Sequence, residues 1–256
     1  MISDIQSESV IEVNRLRTRD YRKLTGLVIV EGYPEVNRAV RAGVPVEVLY
    51  ICPEIFMPAD GEFSGLNVVE VTKDVFAKMA FGSRLKGILA LCKPVQPHLS
   101  DIILGEQPLI VILENVEKPG NLGAVIRTCD GAGVDAVIMC DGQTDIYNQH
   151  VVRSSIGTIF CVRTVGASKE DLYEYLQSNK IRLFAATAKA EALYTDADFR
   201  GSTAIILGNE HHGVSSFWQE RCDRSIKIPM LGQASSLNVT VSASILIYEA
   251  RRQRSL

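Results

Sequence analysis

Residues 227–254 read KIPMLGQASSLNVTVSASILIYEARRQR. The apolar segment Ile226 to Met230 predicts a short strand that runs into a turn at Gly232. A helix is expected to begin near Ser235 or Ser236, where a serine hydroxyl suits the N-cap. Along it Leu237, Val241, Ile245 and Tyr248 share one face, and Val239, Ala243, Leu246 and Ala250 another. Apolar residues on two faces predict a buried helix. Thr240, Ser242, Ala243 and Ser244 are small and let neighbouring backbone come close. Ser235, Ser236 and Asn238 crowd polar groups into the first turn. A buried helix with a donor-rich start is a candidate ligand site, although plain capping uses the same residue types.

Upstream of this stretch the chain alternates between strands and helices. LIVILENV (109–116), DAVIMC (135–140), CVRTV (161–165), IRLFAATA (181–188) and TAIILGNE (203–210) read as strands. Helices are expected over 121–132, 148–157 and 169–180. Nearly continuous apolar strands separated by helices predict a parallel sheet covered on both faces. Pro94, Pro97 and Pro108 punctuate a linker at about 94–107. Before it lies a smaller α/β segment. A charged helical region over 1–22 precedes strands at 27–32, 46–52, 66–72 and 87–93 and helices at 35–43 and 73–81. The division expected is therefore 1–95 and 105–256.

Two further motifs fall at strand ends. ENVEKPGNLGAVIRT (114–128) ends a strand, turns at Pro119 and Gly120, and offers Asn121 as the cap of the next helix. Leu122, Val125, Ile126 and Cys129 keep helical spacing and should face the core. Arg127 lies off that stripe. It is either a solvated arginine or a group on the side where open α/β sheets bind ligands. ILGNEHHGVS (206–215) brings Gly208, Asn209 and Glu210 to the edge of a buried strand, and Gly213 permits a tight return. A glycine here lets backbone approach a ligand closely. His211 and His212 are adjacent and point in different directions. No third ligand stands at a familiar spacing, so a metal site is not expected. No GxGxxG follows a strand, and neither GxxxxGK[ST] nor GxSxG is present.

Composition sets the outer bounds. The 256 residues are 46% hydrophobic and 22% charged, as in ordinary globular chains. The net charge of −3 gives no global basic field, so RNA contact must come from a local patch such as Arg15, Arg17, Arg19, Arg22 and Lys23. No apolar run approaches the roughly 20 residues that cross a bilayer. The polar N-terminus lacks a signal-peptide core. Six cysteines form no CxxC pair and mostly sit in apolar runs, which favours reduced, buried thiols and a cytoplasmic protein.

Taken in this order and spacing, NxGAxxRT after a strand, LGNExxG and IPMxGxxxSLNVxVxxxI closely resemble the three motifs of the SpoU, or TrmH-type, RNA 2′-O-methyltransferases of the SPOUT superfamily. That resemblance covers roughly residues 105–256. The first part, with RLRTRDYRKLTGLVIVEGYPEVNRAVRAG and KGILALCKP, is similar to the L30e-like substrate-binding domain common in the family. Ser242 and Ser244 stand where alanines are frequent. The resemblance implies an α/β methyltransferase domain with a parallel sheet whose C-terminal segment forms a trefoil knot. It also implies S-adenosyl-L-methionine as cofactor, structured rRNA or tRNA as substrate, and a homodimer sharing the substrate cleft.

It further implies roles for particular residues. Gly208, Ile228 and Leu237 match positions whose backbone holds the cofactor. Thr187, Leu207, Asn209, Gly213, Met230 and Ser236 are expected in the same pocket, with 187–189 and 230–233 completing it. Arg127 matches the arginine often assigned as base. A guanidinium keeps its proton at ordinary pH, so a bidentate grip on a neighbouring phosphate is an equal alternative. Asn121, Glu210, Ser236 and Asn238 match other active-site positions. Arg153 matches a residue expected to meet RNA phosphate, beside Arg15, Arg17, Arg22 and Lys23 from the basic patch. Methyl transfer from a sulfonium has a good leaving group and needs neither metal nor covalent intermediate, only in-line positioning and loss of the hydroxyl proton. The rival readings are a non-catalytic RNA-binding protein and a SPOUT methyltransferase acting on a base.

Overall fold

The computed structural model describes residues 1–142, 144–209 and 211–254. The chain forms two compact units, Met1–Val95 with Asp145–Cys161, and Gln96–Thr144 with Val162–Leu256.

Unit 1 begins with α1 (Glu8–Arg15) and α2 (Arg19–Thr25). The single helical region expected over 1–22 is thus two helices, because the chain turns extended at Thr18. There follow β1 (Val28–Glu31), α3 (Tyr33–Arg41), β2 (Val46–Ile51), β3 (Val68–Glu70), α4 (Lys73–Met79) and β4 (Ile88–Cys92). The sheet order is β1-β4-β2-β3, and only β2 and β3 run parallel. Val10, Val13 and Leu16 of the α1 region pack with Val75, Phe76 and Met79 of α4 over Leu89 and Leu91.

The chain then starts unit 2 with β5 (Leu109–Glu114), α5 (Pro119–Gly131) and β6 (Ala136–Cys140). It returns to unit 1 for residues 145–161, which carry α6 (Gln149–Ser154). Asp145 pairs with the buried Arg22 at 2.6 Å. Arg38 Nη1 donates to the Ile156 carbonyl at 2.8 Å. The compact units therefore differ from the linear division 1–95 and 105–256 over this segment.

Unit 2 continues with β7 (Thr164–Ala167), α7 (Lys169–Ser178), β8 (Arg182–Ala186), β9 (Thr203–Leu207), α8 (Ser216–Gln219), β10 (Arg224–Ile226) and α9 (Val239–Gln253). All neighbours in the order β10-β8-β9-β5-β6-β7 are parallel, as the apolar strands predict. Leu113, Leu207, Ala186 and Ile226 stand in register across four strands. The loops that follow β5, β8, β9 and β10 thus leave from one edge of the sheet.

Three local expectations need correction. The strand near Ile226 covers Arg224–Ile226 instead of 226–230. Beyond it Lys227 donates to the Ala192 carbonyl and accepts from the Tyr194 amide, so the chain leaves the sheet, and Pro229 has no N–H to extend the ladder. The last helix starts at Val239, with Asn238 as N-cap, its Oδ1 accepting the Thr240 amide at 2.9 Å. Ser235 and Ser236 stay outside it and exposed. Its face Val239, Ala243, Leu246 and Ala250 is buried, whereas Val241 and Tyr248 are about half exposed. Only one of the two apolar faces is thus covered within the chain.

Candidate functional site

The helix after β5 begins at Pro119, whose fixed φ suits the first helical position. Asn121 is therefore inside the first turn and not its cap. Leu122, Val125, Ile126 and Cys129 are fully buried, as their spacing predicts. Arg127 lies more than two turns in and is exposed. Ahead of the helix, buried Glu114 accepts the Ser215 amide on Oε2 at 2.8 Å. Asn115 takes a left-handed φ of 50°.

The loop after β9 is a tight return. The Gly213 amide donates to the Asn209 carbonyl at 2.8 Å, and Gly213 has φ +71°, which a side chain would strain. Gly208 faces this return directly. A Cβ there would overlap the Gly213 carbonyl group and the Val214 nitrogen. A bulky residue at 208 would therefore disturb the loop itself, and the fold would not be left intact.

The loops after β8, β9 and β10, with the start of α9, enclose a cleft of about 450 Å³. Nine residues expected to hold a cofactor line it: Thr187, Leu207, Gly208, Asn209, Gly213, Ile228, Met230, Ser236 and Leu237. Ala186, Ala188 and Lys189, Ile226, both histidines, Ser235, and Val239, Ser242 and Leu246 of α9 complete the wall. Val239 and Leu246 carry no polar signal that sequence reading could use. They reach the cleft because α9 packs its buried face there. Of 230–233, Met230 lines the cleft, while Leu231 is 97% exposed. The volume falls within the 300–1,000 Å³ of ordinary small-molecule sites. An apolar floor, exposed serines and a glycine edge suit a nucleoside carrying a short polar chain.

The expected catalytic residues are only partly gathered. Ser236 lines the cleft. Asn238 Nδ2 reaches Asn121 Oδ1 at 3.5 Å, so the starts of α5 and α9 adjoin. Thr128 and Ser244 hydroxyls, 3.3 Å apart, continue that contact. Arg127 is not part of the cleft wall. Glu210 lies outside the described residues. His211 and His212 have ring centroids 6.5 Å apart, and the described residues hold no group of three metal-ligating side chains.

The basic patch divides. Arg15, Lys23 and Arg153 are exposed. Arg17 Nη2 donates to the Met79 and Ala80 carbonyls and so finishes α4. Arg22 is 6% exposed, paired with Asp145 and bonded to the Leu16 carbonyl at 2.7 Å. It is committed inside unit 1, which removes it from the expected phosphate contacts.

Burial pushes the Cys92 and Cys140 thiols up to about 12 and raises Cys129 as well, so these groups stay protonated and inert. Glu31 in unit 1 is also raised by burial, against the Phe81 amide that its carboxylate accepts at 2.7 Å.

Residues 108–248 match the SpoU rRNA methylase family, and residues 7–90 match the MRM3-like substrate binding domain. A Bacillus subtilis 23S rRNA (guanosine(2553)-2′-O)-methyltransferase, RlmP, is 30% identical over 98% of both chains. A Streptomyces viridochromogenes 23S rRNA (uridine(2479)-2′-O)-methyltransferase is 28% identical over 93% of this chain and 87% of its own. A crystal structure of an RNA 2′-O ribose methyltransferase superposes with a TM-score of 0.88 at 35% identity, covering 98% of both chains. The SpoU methyltransferase AviRb from Streptomyces viridochromogenes, in complex with AdoMet, gives a TM-score of 0.88 at 26% identity over 97% of this chain and 98% of its own.

Proposed function

From a chain that belongs to the SpoU rRNA methylase family, we infer an enzyme that methylates a ribose 2′-hydroxyl of RNA with S-adenosyl-L-methionine. The finer reading is 23S rRNA as the substrate, supported by the relatives RlmP and its Streptomyces counterpart. The observation that carries the chemistry is the glycine-edged cleft formed by the loops after β8, β9 and β10. When bound, the cofactor supplies an activated methyl group on a sulfonium.

The chain's own residues must then hold and align. Thr187, Leu207, Gly208, Ile228, Met230 and Leu237 form the wall against adenosine, and the missing side chain at Gly208 lets the return at Gly213 and Val214 pack directly behind that wall. Asn121, Ser236 and Asn238 orient the ribose beside the joined starts of α5 and α9. Arg127, exposed on α5, grips the phosphate next to the reacting hydroxyl, since a fork of donors suits phosphate and a guanidinium is a poor base. Unit 1 binds the rest of the RNA through Arg15, Lys23 and Arg153.

Three structural readings go with this. Val241 and Tyr248, seven residues apart on one face of α9, leave an apolar surface that a second copy of the chain would cover, giving a homodimer. The segment 227–238, bonded to the loop after β8, threads as the knot of the family. Reduced, buried thiols fit a cytoplasmic enzyme. Mapping 2′-O-methyl positions in 23S rRNA with and without the gene tests the activity; an unchanged map rejects the substrate. Light scattering should give roughly twice the 28.1 kDa chain mass, and a monomer at micromolar concentration rejects the dimer.

A further inference from the structure

The Asn209 side chain lines the cofactor cleft but has nothing left to offer a ligand. It is 8% exposed. Its Oδ1 accepts the His211 amide at 2.8 Å and the His212 amide at 3.3 Å. Its Nδ2 donates to the Asn115 carbonyl at 3.0 Å and to Glu117 Oε1 at 3.3 Å. An amide side chain has two acceptor sites and two donor hydrogens, so all four are used. The orientation is also unique. Turned over, it would set NH₂ against two amide N–H groups and oxygen against a carbonyl and a carboxylate.

These four bonds join two loops. One is the return after β9, which carries Gly208 and lines the cleft. The other, 115–118, leads straight into α5 and so sets where Asn121 and Arg127 stand. The second loop is itself held from behind, because Thr144 Oγ1 lies 2.9 Å from the Val116 carbonyl and 3.1 Å from that of Glu117, both acceptors. The left-handed backbone at Asn115 turns its carbonyl to where Nδ2 reaches it.

We propose that Asn209 is a positioning residue, a clasp that fixes the cofactor loop against the loop bearing the catalytic helix. The inference rests on the methyltransferase reading for its consequence and on geometry alone for its existence. It acts through the two loops and touches neither cofactor nor RNA. Aspartate at 209 keeps the acceptor half and the shape. It loses both donor hydrogens and sets a carboxylate against the Asn115 carbonyl and the Glu117 carboxylate.

Two measurements on the full-length chain test this. In the cofactor-free wild type, hydrogen exchange should find the His211 and His212 amides protected, and Asn209→Ala should speed both about tenfold or more while β5 and β9 amides stay unchanged. In calorimetry, Asn209→Asp should raise the Kd for S-adenosylmethionine about tenfold or more, because two hydrogen bonds between the loops are lost and part of that loss reaches the cofactor loop. Adding Glu117→Gln should bring it back to within about threefold, because the new amide can donate to Asp. Loss of packing alone would not be rescued by a change at 117. Unprotected His211 and His212 amides in folded wild type would overturn the clasp, as would a normal Kd in Asn209→Asp or a defect that Glu117→Gln leaves in place. If the wild type binds no S-adenosylmethionine, the function reading fails, and the exchange data still decide the clasp.

Discussion

The two units hold polar residues in different ways. In unit 2 every strand of the sheet runs the same way, so four successive loops leave from one edge and their polar groups gather without any long-range choice. In unit 1 the sheet is mixed, and its loops leave from both ends. Its basic residues are not gathered by topology. Arg22 is buried against a carbonyl and a carboxylate, Arg17 is exposed but bonded to two carbonyls at the end of α4, and Arg15 and Lys23 remain outside. A glycine or an N-capping asparagine does its work locally, so its use can be read from its neighbours. An arginine reaches far enough that its use depends on which acceptors the fold brings within range.

The largest effect is expected at Arg127, a proposed functional group of unit 2 that lies outside the cleft wall. Arg127→Ala should leave the melting temperature near wild type, with a stability change below about 0.5 kcal/mol. S-adenosylmethionine binding should be almost normal. Methyl transfer should fall by about a thousandfold, the scale of losing a charge-assisted contact made in the reacting complex. Wild-type turnover would end its catalytic assignment. Arg127→Lys then separates the roles. A lysine variant as inactive as alanine points to the fork, and recovery as pH rises points to proton abstraction.

Gly208→Ala comes next. The added Cβ meets backbone that cannot move aside, so the variant should lose about 3 kcal/mol in denaturant melts and bind cofactor at least about tenfold more weakly. Gly232→Ala is its control, because nothing lies within 4 Å of a Cβ there. Equal tolerance at both positions would mean that the loop after β9 is not packed as described.

In unit 1 the contrast is between neighbours. Arg22→Ala strands Asp145 in a largely buried place and should cost about 2 kcal/mol of stability. Lys23→Ala should leave stability unchanged and weaken RNA binding in a salt-dependent way. If Arg22→Ala melts normally and loses RNA affinity instead, the division of the basic patch is wrong.

Glu31→Gln should have the smallest effect. Burial raises the Glu31 carboxyl above its ordinary value in the folded protein. The folded chain then binds more protons than the unfolded chain, so stability is fullest below the ordinary glutamate range and falls as pH rises through the raised value. A glutamine cannot ionise. The melting temperature of the variant should therefore gain on wild type as pH rises from about 4 toward neutrality, relative to the ordinary value near 4.3. A parallel pH dependence in both proteins would exclude Glu31 as the source.

Much of unit 2 was legible in the chain. Short unbroken runs rich in branched residues, such as LIVILE and TAIIL, read as strands buried on both faces, and helices between them favour a parallel order. The stripe Leu122, Val125, Ile126 and Cys129 declared its buried side, and the residues proposed to hold the cofactor, from Thr187 to Leu237, all line one cleft. Details set by capping were misread by a few residues. Asn238 outcompetes Ser235 and Ser236 because its side chain reaches the Thr240 amide, and Pro119 starts α5 ahead of Asn121.

What the sequence determined by itself were properties of short range: strand and helix type, the glycines that a tight return requires, and the three motifs that mark the family. Pairings across long separations arose only in the folded chain. Residues 145–161 joined unit 1, although 96–144 and 162 onward build unit 2. Arg22 found Asp145 across 123 residues, and Asn209 found Asn115 across 94. Periodicity and propensity act over a few residues of chain, whereas a hydrogen bond or ion pair acts over a few ångströms of space. Only the folded backbone converts one distance into the other.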